Sequence, residues 1–245
     1  MENKVAIVIP AFNEAEMIGE VLDKISAILD VSDITSVIVV DDGSTDGTSE
    51  IVKRYEFVEL MIHKKNMGRG AALNTGLRTV LEPWVIFFDA DLEYDPADLV
   101  KVINVKKENC VVYGSRYSNS ENYESNIINR WRPLSNQKFG PFIANKIISI
   151  LVLALYGIYY DEHFSGIRLY PSIPIKEQIW IKDGFEGDHE KASYFLRKKY
   201  DVLTVPVRYS PRDKKNGKKI RASDGVKAIW IFILMRFTKR INGDS

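Results

Sequence analysis

The sequence has few cysteines and histidines, the residues that form disulfides and bind zinc in small proteins. It contains one cysteine, Cys110, and three histidines, so it offers neither an intrachain disulfide nor a zinc site built on a cysteine cluster. The N-terminus shows no basic stretch followed by an apolar run and a cleavage site, so we expect no signal peptide. Neither a Walker A motif nor a G-x-G-x-x-G fingerprint occurs. These absences exclude a disulfide-stapled scaffold and the nucleotide folds that those two glycine motifs mark.

No apolar run reaches the roughly 18–20 residues that a transmembrane helix needs. Two runs come near, residues 147–160 and 229–235, and the second has Lys227 before it and Arg236 after it. Each fits either a helix buried in the core or a helix lying in a membrane interface, which combines an apolar face with a basic one. For the first run we expect an apolar helix over about residues 139–160.

The formal net charge of +1 conceals a strong asymmetry along the chain. Residues 197–245 carry 14 Lys and Arg against 4 Asp and Glu, whereas residues 1–196 carry 20 against 29. A basic C-terminal fifth favours contact with phosphate groups, in nucleotides or lipid head groups. The alternative is an ordinary solvated surface.

Short apolar runs alternate with stretches of helical periodicity. The runs predicted to be strands are residues 5–9, 37–40, 57–63, 84–88 and 111–114. The predicted helices are residues 14–29, 48–55 and 70–80, with a further helix starting at Pro96. Because the strands are continuously apolar, we predict an α/β fold with a mostly parallel sheet flanked by helices. Residues 118–138 and 213–223 are polar or basic and are predicted to be loops.

The strongest local signal is Asp89-Ala90-Asp91, which directly follows an apolar strand and precedes Glu93. Two carboxylates at a strand end can share one hard cation, and Mg²⁺ prefers one or two carboxylates together with phosphate oxygens. The alternative interpretation is a pair of aspartates that cap a turn and a helix. The strand context favours the metal and phosphate site.

Two further polar segments follow predicted strands. Asp41-Asp42-Gly43 lies after the second strand, where a carboxylate can accept hydrogen bonds from a base or a ribose. Capping explains Asp46 in the same loop, but it does not explain the two adjacent acids. Glu14 follows the first strand and is either a ligand-binding acid or an acid at a helix start.

These segments together resemble glycosyltransferase family 2 and its GT-A fold. The resemblance rests on VAIVIPAFNE, VIVVDDGSTDGT, NMGRGAALNTG and VIFFDADLEYDP, in this order and at the usual intervals. It continues through YGSRY, FSGIR, GFE, VPV and GKKI and covers nearly the whole chain. The later segments are similar to the branch of dolichyl-phosphate mannose synthases and polyprenyl-phosphate glucosyltransferases. The QxxRW segment of processive polysaccharide synthases does not occur.

The resemblance implies a nucleotide-sugar donor bound along the strand ends. The residues that it implies at the base and nucleoside are Pro10, Phe12, Glu14, Val39 and Asp41. Those that it implies at the pyrophosphate and at Mg²⁺ or Mn²⁺ are Asp89, Ala90, Asp91 and Glu93, the last at a position where relatives often carry Gln. Those that it implies around the reacting phosphates are Arg116, Arg212 and Lys218, with Arg130 or Arg132 reaching the acceptor phosphate.

The implied reaction is transfer of one hexose, with inversion, to a polyprenyl or dolichyl phosphate. A lipid phosphate is already an anion and needs no general base, whereas an alcohol acceptor would need one. Asp188 and Glu190 are candidates for that base, but we favour the interpretation that they are acids at a helix start. GDP-mannose is our first expectation for the donor and UDP-glucose our second. A soluble acceptor and a non-catalytic binding module are the alternatives.

The same resemblance implies a place at the membrane. We expect a catalytic domain over residues 1–225 and an amphipathic basic tail over residues 226–245. The protein is expected to be cytoplasmic and peripheral on the cytosolic face of a membrane. It looks like the form without its own membrane domain, so surface helices or a membrane-anchoring partner subunit would hold it there. We expect no nucleic-acid partner.

Overall fold

A computed structural model describes residues 3–116, 139–211 and 222–238 of the chain. The strands are β1 Val5–Ala11, β2 Ile34–Asp41, β3 Val58–Ile62, β4 Trp84–Phe88, β5 Cys110–Ser115, β6 Ile167–Pro171 and β7 Asp201–Pro206. The helices are α1 Ile18–Leu29, α2 Thr48–Val52, α3 Arg69–Thr79, α4 Leu99–Asn104, α5 Phe139–Tyr156, α6 Ser172–Lys176, α7 Glu186–Arg197 and α8 Ala222–Phe237.

The strands form one sheet in the order β3-β2-β1-β4-β6-β5-β7. Neighbouring strands are parallel except around β6, which is antiparallel to both β4 and β5. The predicted mostly parallel sheet is therefore confirmed. Because β6 runs the other way, its first residue, Ile167, pairs with Phe88 at the end of β4. The start of β6 thus lies at the same edge as the ends of the other strands.

The sheet is covered on both faces, which explains the continuously apolar strands. Val5, Ile7 and Ile9 point into one core with α1 and α4. Ala6 and Val8 point into a second core that contains residues of α3, α5, α7 and α8. Alternate residues of a strand face opposite sides of a sheet, so an apolar residue is needed at every position.

The structure corrects the predicted start of α1 and agrees with a helical start at Pro96. Helix α1 begins at Ile18 and not at residue 14, because Asn13 has a φ of +53° and the Glu14 N–H donates to Thr48 Oγ1 at 3.0 Å. Pro96 opens a 3-10 turn over Pro96–Asp98, which leads into α4. Strands β6 and β7 and helix α6 were not predicted as elements. Helix α7 was anticipated only through Asp188 and Glu190, the acids expected at a helix start.

Candidate active site

The predicted site segments gather at one edge of the sheet. The carboxyl ends of parallel strands meet at a common edge, and here β1 leads to Phe12, β2 to Asp42 and β4 to Asp89. Strand β5 leads to Arg116 at the same edge. The fold therefore brings together residues that lie far apart in the sequence.

The loops after β1 and β2 are joined by hydrogen bonds into one unit. Asn13 N–H donates to Ser44 Oγ at 2.9 Å, and Thr45 N–H donates to Asn13 Oδ1 at 2.9 Å. Ala15 N–H donates to Asp46 Oδ2 at 3.0 Å. Asp46 also accepts the Thr48 N–H at 3.1 Å, which agrees with its predicted place at the start of α2. The unit fixes the space between the ends of β1 and β2.

The two adjacent acids at the end of β2 each hold a different segment of backbone. Asp41 is buried, accepts the Ser44 N–H at 2.8 Å and bonds to the hydroxyl of Ser49. Asp42 accepts the N–H groups of Met67 and Gly68, both at 2.8 Å. Both acids therefore shape loops, and the predicted contact of Asp41 with the nucleoside stays a prediction.

The other residues predicted near the base differ in accessibility. Pro10 and Phe12 are half-buried, whereas the side chain of Glu14 is buried. Val39 is fully buried in the core beneath α1, so it supports the strand end and presents no surface to a ligand in this structure.

The segment after β4 makes a sharp turn. Leu92 has a φ of +54°, a conformation that is rare for a bulky residue and that is often found at functional sites. Asp91 Oδ1 accepts the Glu93 N–H at 3.2 Å, and Glu93 Oε2 accepts the Tyr209 hydroxyl at 3.1 Å. Ala90, between Asp89 and Asp91, is buried in the core.

The carboxylates of this segment suit a hard divalent cation. Across the described ranges no group of three or more Asp, Glu, His or Cys side chains forms a ready-made metal cage. Mg²⁺ commonly relies on one or two carboxylates and takes its other oxygens from substrate phosphates and water. Asp89 keeps a quarter of its side chain exposed, and a Cβ at position 166 would lie 2.7 Å from Asp89 Oδ2. The oxygens present fit the ion, and Gly166 leaves room for one of them.

Arg116 is fixed by a buried partner. Its Nε and Nη2 donate to the two oxygens of Glu162, each at 2.8 Å, and Glu162 has no exposed surface on its side chain. The guanidinium also lies 4.7 Å from the ring centroid of Tyr209. A chain of contacts therefore runs from Glu93 through Tyr209 to Arg116.

A second arginine, which the sequence analysis did not assign, reaches the site from the start of α3. Arg69 donates through Nε and Nη2 to Asp89 Oδ1, at 2.9 and 2.7 Å, and through Nη1 to Asp188 Oδ2. The sequence contained a signal for this contact, because the helix dipole disfavours a cation at a helix N-terminus unless an anion lies nearby. An arginine between Gly68 and Gly70 therefore indicates carboxylates nearby.

The glycines beside Arg69 permit a close contact between two backbones. Gly70 N–H donates to the carbonyl of Asp183 at 2.6 Å. A Cβ at Gly68 would lie 2.5 Å from that same oxygen, and a Cβ at Gly70 would lie 2.5 Å from the carbonyl oxygen of Lys182. The start of α3 is thus pressed against the segment before α7, which brings Arg69 close to Asp188.

Four of the predicted cationic residues, Arg212, Lys218 and the alternatives Arg130 and Arg132, lie outside the described residues. The predicted loop over residues 118–138 also lies outside them. The loop predicted over residues 213–223 is corrected at its end, because residues 222 and 223 belong to α8.

Helices α5 and α8 each present an exposed apolar stripe. The stripe on α5 consists of Ile143, Ile147, Ile150 and Leu153, and that on α8 of Val226, Trp230, Leu234 and Phe237. The opposite sides of the helices pack together, where the Tyr156 hydroxyl donates to the Phe232 carbonyl at 2.7 Å. Each helix therefore packs one face into the core and exposes the other.

Two predictions bear on these helices. No described helix has the length and apolarity that crossing a membrane requires. The boundary predicted at residue 226 falls inside α8, which begins at Ala222 and packs on α5 and α7.

Comparisons with known proteins agree with this geometry. The family described as Glycosyl transferase family 2 matches residues 6–157, more than half of the chain. An uncharacterized protein of Methanocaldococcus jannaschii is 30% identical, over 90% of this chain and 79% of its own length. The UDP-N-acetylglucosamine--dolichyl-phosphate N-acetylglucosaminyltransferase of Methanococcus voltae is 27% identical, over 95% of this chain and 96% of its own length.

The fold also matches a solved structure. Glucosyl-3-phosphoglycerate synthase from Mycobacterium tuberculosis, in complex with Mn²⁺, UDP and glucosyl-3-phosphoglycerate, superimposes with a TM-score of 0.67. The match covers 96% of this chain and 80% of that one at 17% identity, and it confirms the predicted GT-A fold. With the matched motifs placed at the carboxyl edge of this sheet, the chain belongs to glycosyl transferase family 2.

Proposed function

We propose that the protein transfers one sugar from a nucleoside diphosphate sugar to a polyprenyl phosphate at a membrane surface. The choice of a phosphate acceptor rests on the surroundings of Asp188 and Glu190, the two candidates for a general base. Glu190 is buried and accepts N–H groups from Ile181 and Lys182, at 3.2 and 3.1 Å. Asp188 is buried and paired with Arg69 and Arg168.

The two carboxylates are unsuited to taking a proton from an alcohol for different reasons. Burial raises the pKa of Glu190, but its carboxylate is buried and already accepts two backbone N–H groups. Burial alone would raise the pKa of Asp188, but the charges of Arg168 and Arg69 outweigh it and hold that pKa below its usual value. Asp188 is therefore a weak base and is enclosed by its partners. An acceptor that is already an anion avoids this requirement.

The chemistry then depends on charge stabilisation. An oxygen of the acceptor phosphate attacks C1 of the sugar, the bond from C1 to the β-phosphate oxygen breaks, and the nucleoside diphosphate leaves with the electron pair. Negative charge grows on the leaving group while two anionic groups approach each other. Arg69 and Arg116 lie at the edge where both would bind, and fixed cations in such a site lower the barrier.

A divalent cation fits this scheme. Asp89 and Asp91, with Glu93 beside them, would hold it, and the ion would neutralise charge on the departing diphosphate. Arg69 keeps Asp89 oriented, and the turn at Leu92 sets the direction of Asp91. Arg212 and Lys218 are proposed to add positive charge near the phosphates.

The apolar stripes of α5 and α8 support a lipid acceptor. Trp230 has 63% of its surface exposed, and exposed aromatic and aliphatic side chains on helices favour insertion into a membrane interface. The basic C-terminal fifth would add attraction to anionic head groups. We propose a peripheral position on the cytosolic face, through these helices or through an anchoring partner.

The donor is the open part of the proposal. GDP-mannose, our first expectation from the sequence, stays a prediction. The relative from Methanococcus voltae and the superimposed synthase both carry UDP in their names or titles, so UDP sugars take first place in the assay.

The test is transfer of radiolabelled sugar into organic-extractable lipid. Purified protein is incubated with polyprenyl phosphate in liposomes, Mn²⁺ or Mg²⁺, and UDP-N-acetylglucosamine, UDP-glucose or GDP-mannose in separate reactions. We expect label in the lipid phase from one donor and its loss when EDTA is added. The matched acceptor controls are the polyprenyl alcohol and the soluble 3-phosphoglycerate.

Each outcome has a clear meaning. Transfer to the alcohol as fast as to the phosphate would contradict the argument from charge. Transfer to 3-phosphoglycerate and not to lipid would move the protein to soluble phosphorylated acceptors. Transfer that survives EDTA would remove the metal from the scheme.

A further inference from the structure

Asp188 lies in the first turn of α7 but is bound from outside its own helix. Its Oδ2 accepts Arg69 Nη1 from α3 and lies 3.2 Å from Arg168 Nη1 of β6. Only 4% of the residue is exposed. Arg69 in turn pairs with Asp89, at the end of β4. Four parts of the fold, α7, α3, β6 and the end of β4, therefore meet in one set of two carboxylates and two arginines.

The guanidinium of Arg69 uses two different edges. Nε and Nη2 bond one oxygen of Asp89, and Nη1 bonds Asp188. Because a guanidinium is planar and rigid, carboxylates on two of its edges fix both its plane and its rotation. Asp89 is thereby held in place by Arg69, whose own orientation is fixed by Asp188.

We propose that Asp188 is a positioning residue that fixes Asp89 through Arg69 and so sets the affinity of the site for the divalent cation that accompanies the donor. The proposal deepens the proposed function and rests on it. Asp188 touches neither the metal nor the substrate in this scheme. Its effect passes through the orientation and the charge of Arg69.

The charges of the network give the direction of the effect. Arg69 and Arg168 are balanced by Asp89 and Asp188. If Asp188 lost its charge, Asp89 would be the one carboxylate left in this set to balance Arg69 and Arg168. The set would then carry a net positive charge beside the cation site. Both changes oppose binding of a divalent cation. Neither requires the fold to change.

Gly166 adds a geometric reason for a fixed carboxylate. The Gly166 carbonyl accepts the Asp89 N–H at 3.2 Å, and a Cβ at this position would lie 2.7 Å from Asp89 Oδ2. The space around that oxygen is therefore narrow on one side. A carboxylate that could rotate freely would lose the placement that Arg69 and Gly166 define together.

The experiment compares Asp188→Asn with Glu190→Gln in the full-length protein. Glu190 is a neighbouring buried carboxylate on α7 that bonds backbone N–H groups and not Arg69, so it controls for general loosening of the helix start. Mn²⁺ binding is measured by electron paramagnetic resonance in the presence of UDP. UDP binding in EDTA and the melting temperature are measured in parallel.

We expect Asp188→Asn to weaken Mn²⁺ binding by about 10- to 100-fold, the usual effect of losing a residue that orients a metal ligand. UDP binding in EDTA should be retained, and Glu190→Gln should bind Mn²⁺ like the wild type. A folded Asp188→Asn protein with wild-type Mn²⁺ affinity would overturn the proposal. Equal losses of Mn²⁺ and metal-free UDP binding would also overturn it, because they indicate a purely structural role.

A second variant decides the matter if Asp188→Asn does not fold. Arg69→Lys keeps the positive charge but lacks the planar fork, and it should weaken Mn²⁺ binding in the same direction. Wild-type Mn²⁺ affinity in Arg69→Lys would overturn the proposal. The wild-type protein tests the underlying function separately: if Mn²⁺ does not bind with UDP or GDP at all, the metal-dependent scheme itself fails.

Discussion

Lys191 is a buried cation whose removal should stabilise the protein. The residue lies on α7 and is fully buried, and its Nζ has no hydrogen-bond partner among the described residues. The ammonium lies 5.0 Å from the ring centroid of Trp180 and 6.0 Å from that of Phe87. Burial lowers the pKa of Lys191 from 10.5 to about 8, even though Asp188 and Glu190 oppose the change.

The magnitude follows from the two pKa values of this lysine. Each pH unit corresponds to about 1.4 kcal/mol, so holding the charged form in the folded state costs about 3 kcal/mol at pH 7. Lys191→Met keeps the length of the side chain without its charge and should raise the free energy of unfolding by about 3 kcal/mol at pH 7.

The gain should depend on pH in one direction. Below about pH 8 the lysine is protonated in both the folded and the unfolded protein, so the full cost is present. Above pH 8 the folded protein loses the proton while the unfolded chain keeps it up to about pH 10.5. The cost therefore shrinks as the pH rises, and the two proteins should approach equal stability near pH 10.5.

Urea unfolding at pH 7, 8, 9 and 10 measures this difference. Lys106→Met is the matched control, because Lys106 Nζ is paired with Asp33 at 2.8 Å and its loss should lower stability by less than about 1 kcal/mol. A Lys191→Met protein that is less stable than the wild type at pH 7 would refute the reasoning. So would a gain that is the same at pH 7 and pH 10.

Three further predictions concern the site and the apolar stripes. Asp91→Asn should lower sugar transfer by about two to three orders of magnitude while leaving the melting temperature unchanged, and a fully active variant would remove Asp91 from the metal site. Arg116→Ala should lower kcat by about 100- to 1000-fold. Glu162→Gln should lower kcat by less, since Arg116 stays charged but loses its carboxylate partner. Equal rates in the wild type and both variants would contradict the role of Arg116. Trp230→Ser should reduce sedimentation with anionic liposomes at unchanged stability, whereas Phe232→Ser should lower the free energy of unfolding by about 3–5 kcal/mol, because Phe232 is fully buried; similar effects of both changes on liposome binding would contradict the division of α8 into two faces.

The strands of the first half were predictable because their physics is local. Residues 84–88 are apolar at every position, and a strand buried on both faces requires this. The prediction matches β4 from Trp84 to Phe88. Strand β6 was missed because Arg168 interrupts its apolar run. This arginine is tolerated inside because Asp188 pairs with it and the carbonyls of Ser165 and His163 accept its N–H groups.

The candidate site was predictable where motifs carry it and not where distant residues meet. Asp89 and Asp91 stand out in the sequence, since two acids follow a strand end. The contact of Arg69 with Asp188 joins residues 119 positions apart, so no spacing rule could find it. The two faces of α8 also needed the fold, because Trp230 and Phe232 are equally apolar in the sequence and only packing decides which is buried.

The hydrogen bonds between the loops after β1 and β2 have a consequence for how such a protein can diversify. Asn13 and Ala15 bond to Ser44, Thr45 and Asp46, and none of these contacts shares a residue with the network around Arg69. Substitutions in sets without shared partners act almost additively. Selection could therefore alter the pocket proposed for the nucleoside without disturbing the phosphate end, and one reaction scheme could be kept while the donor changes.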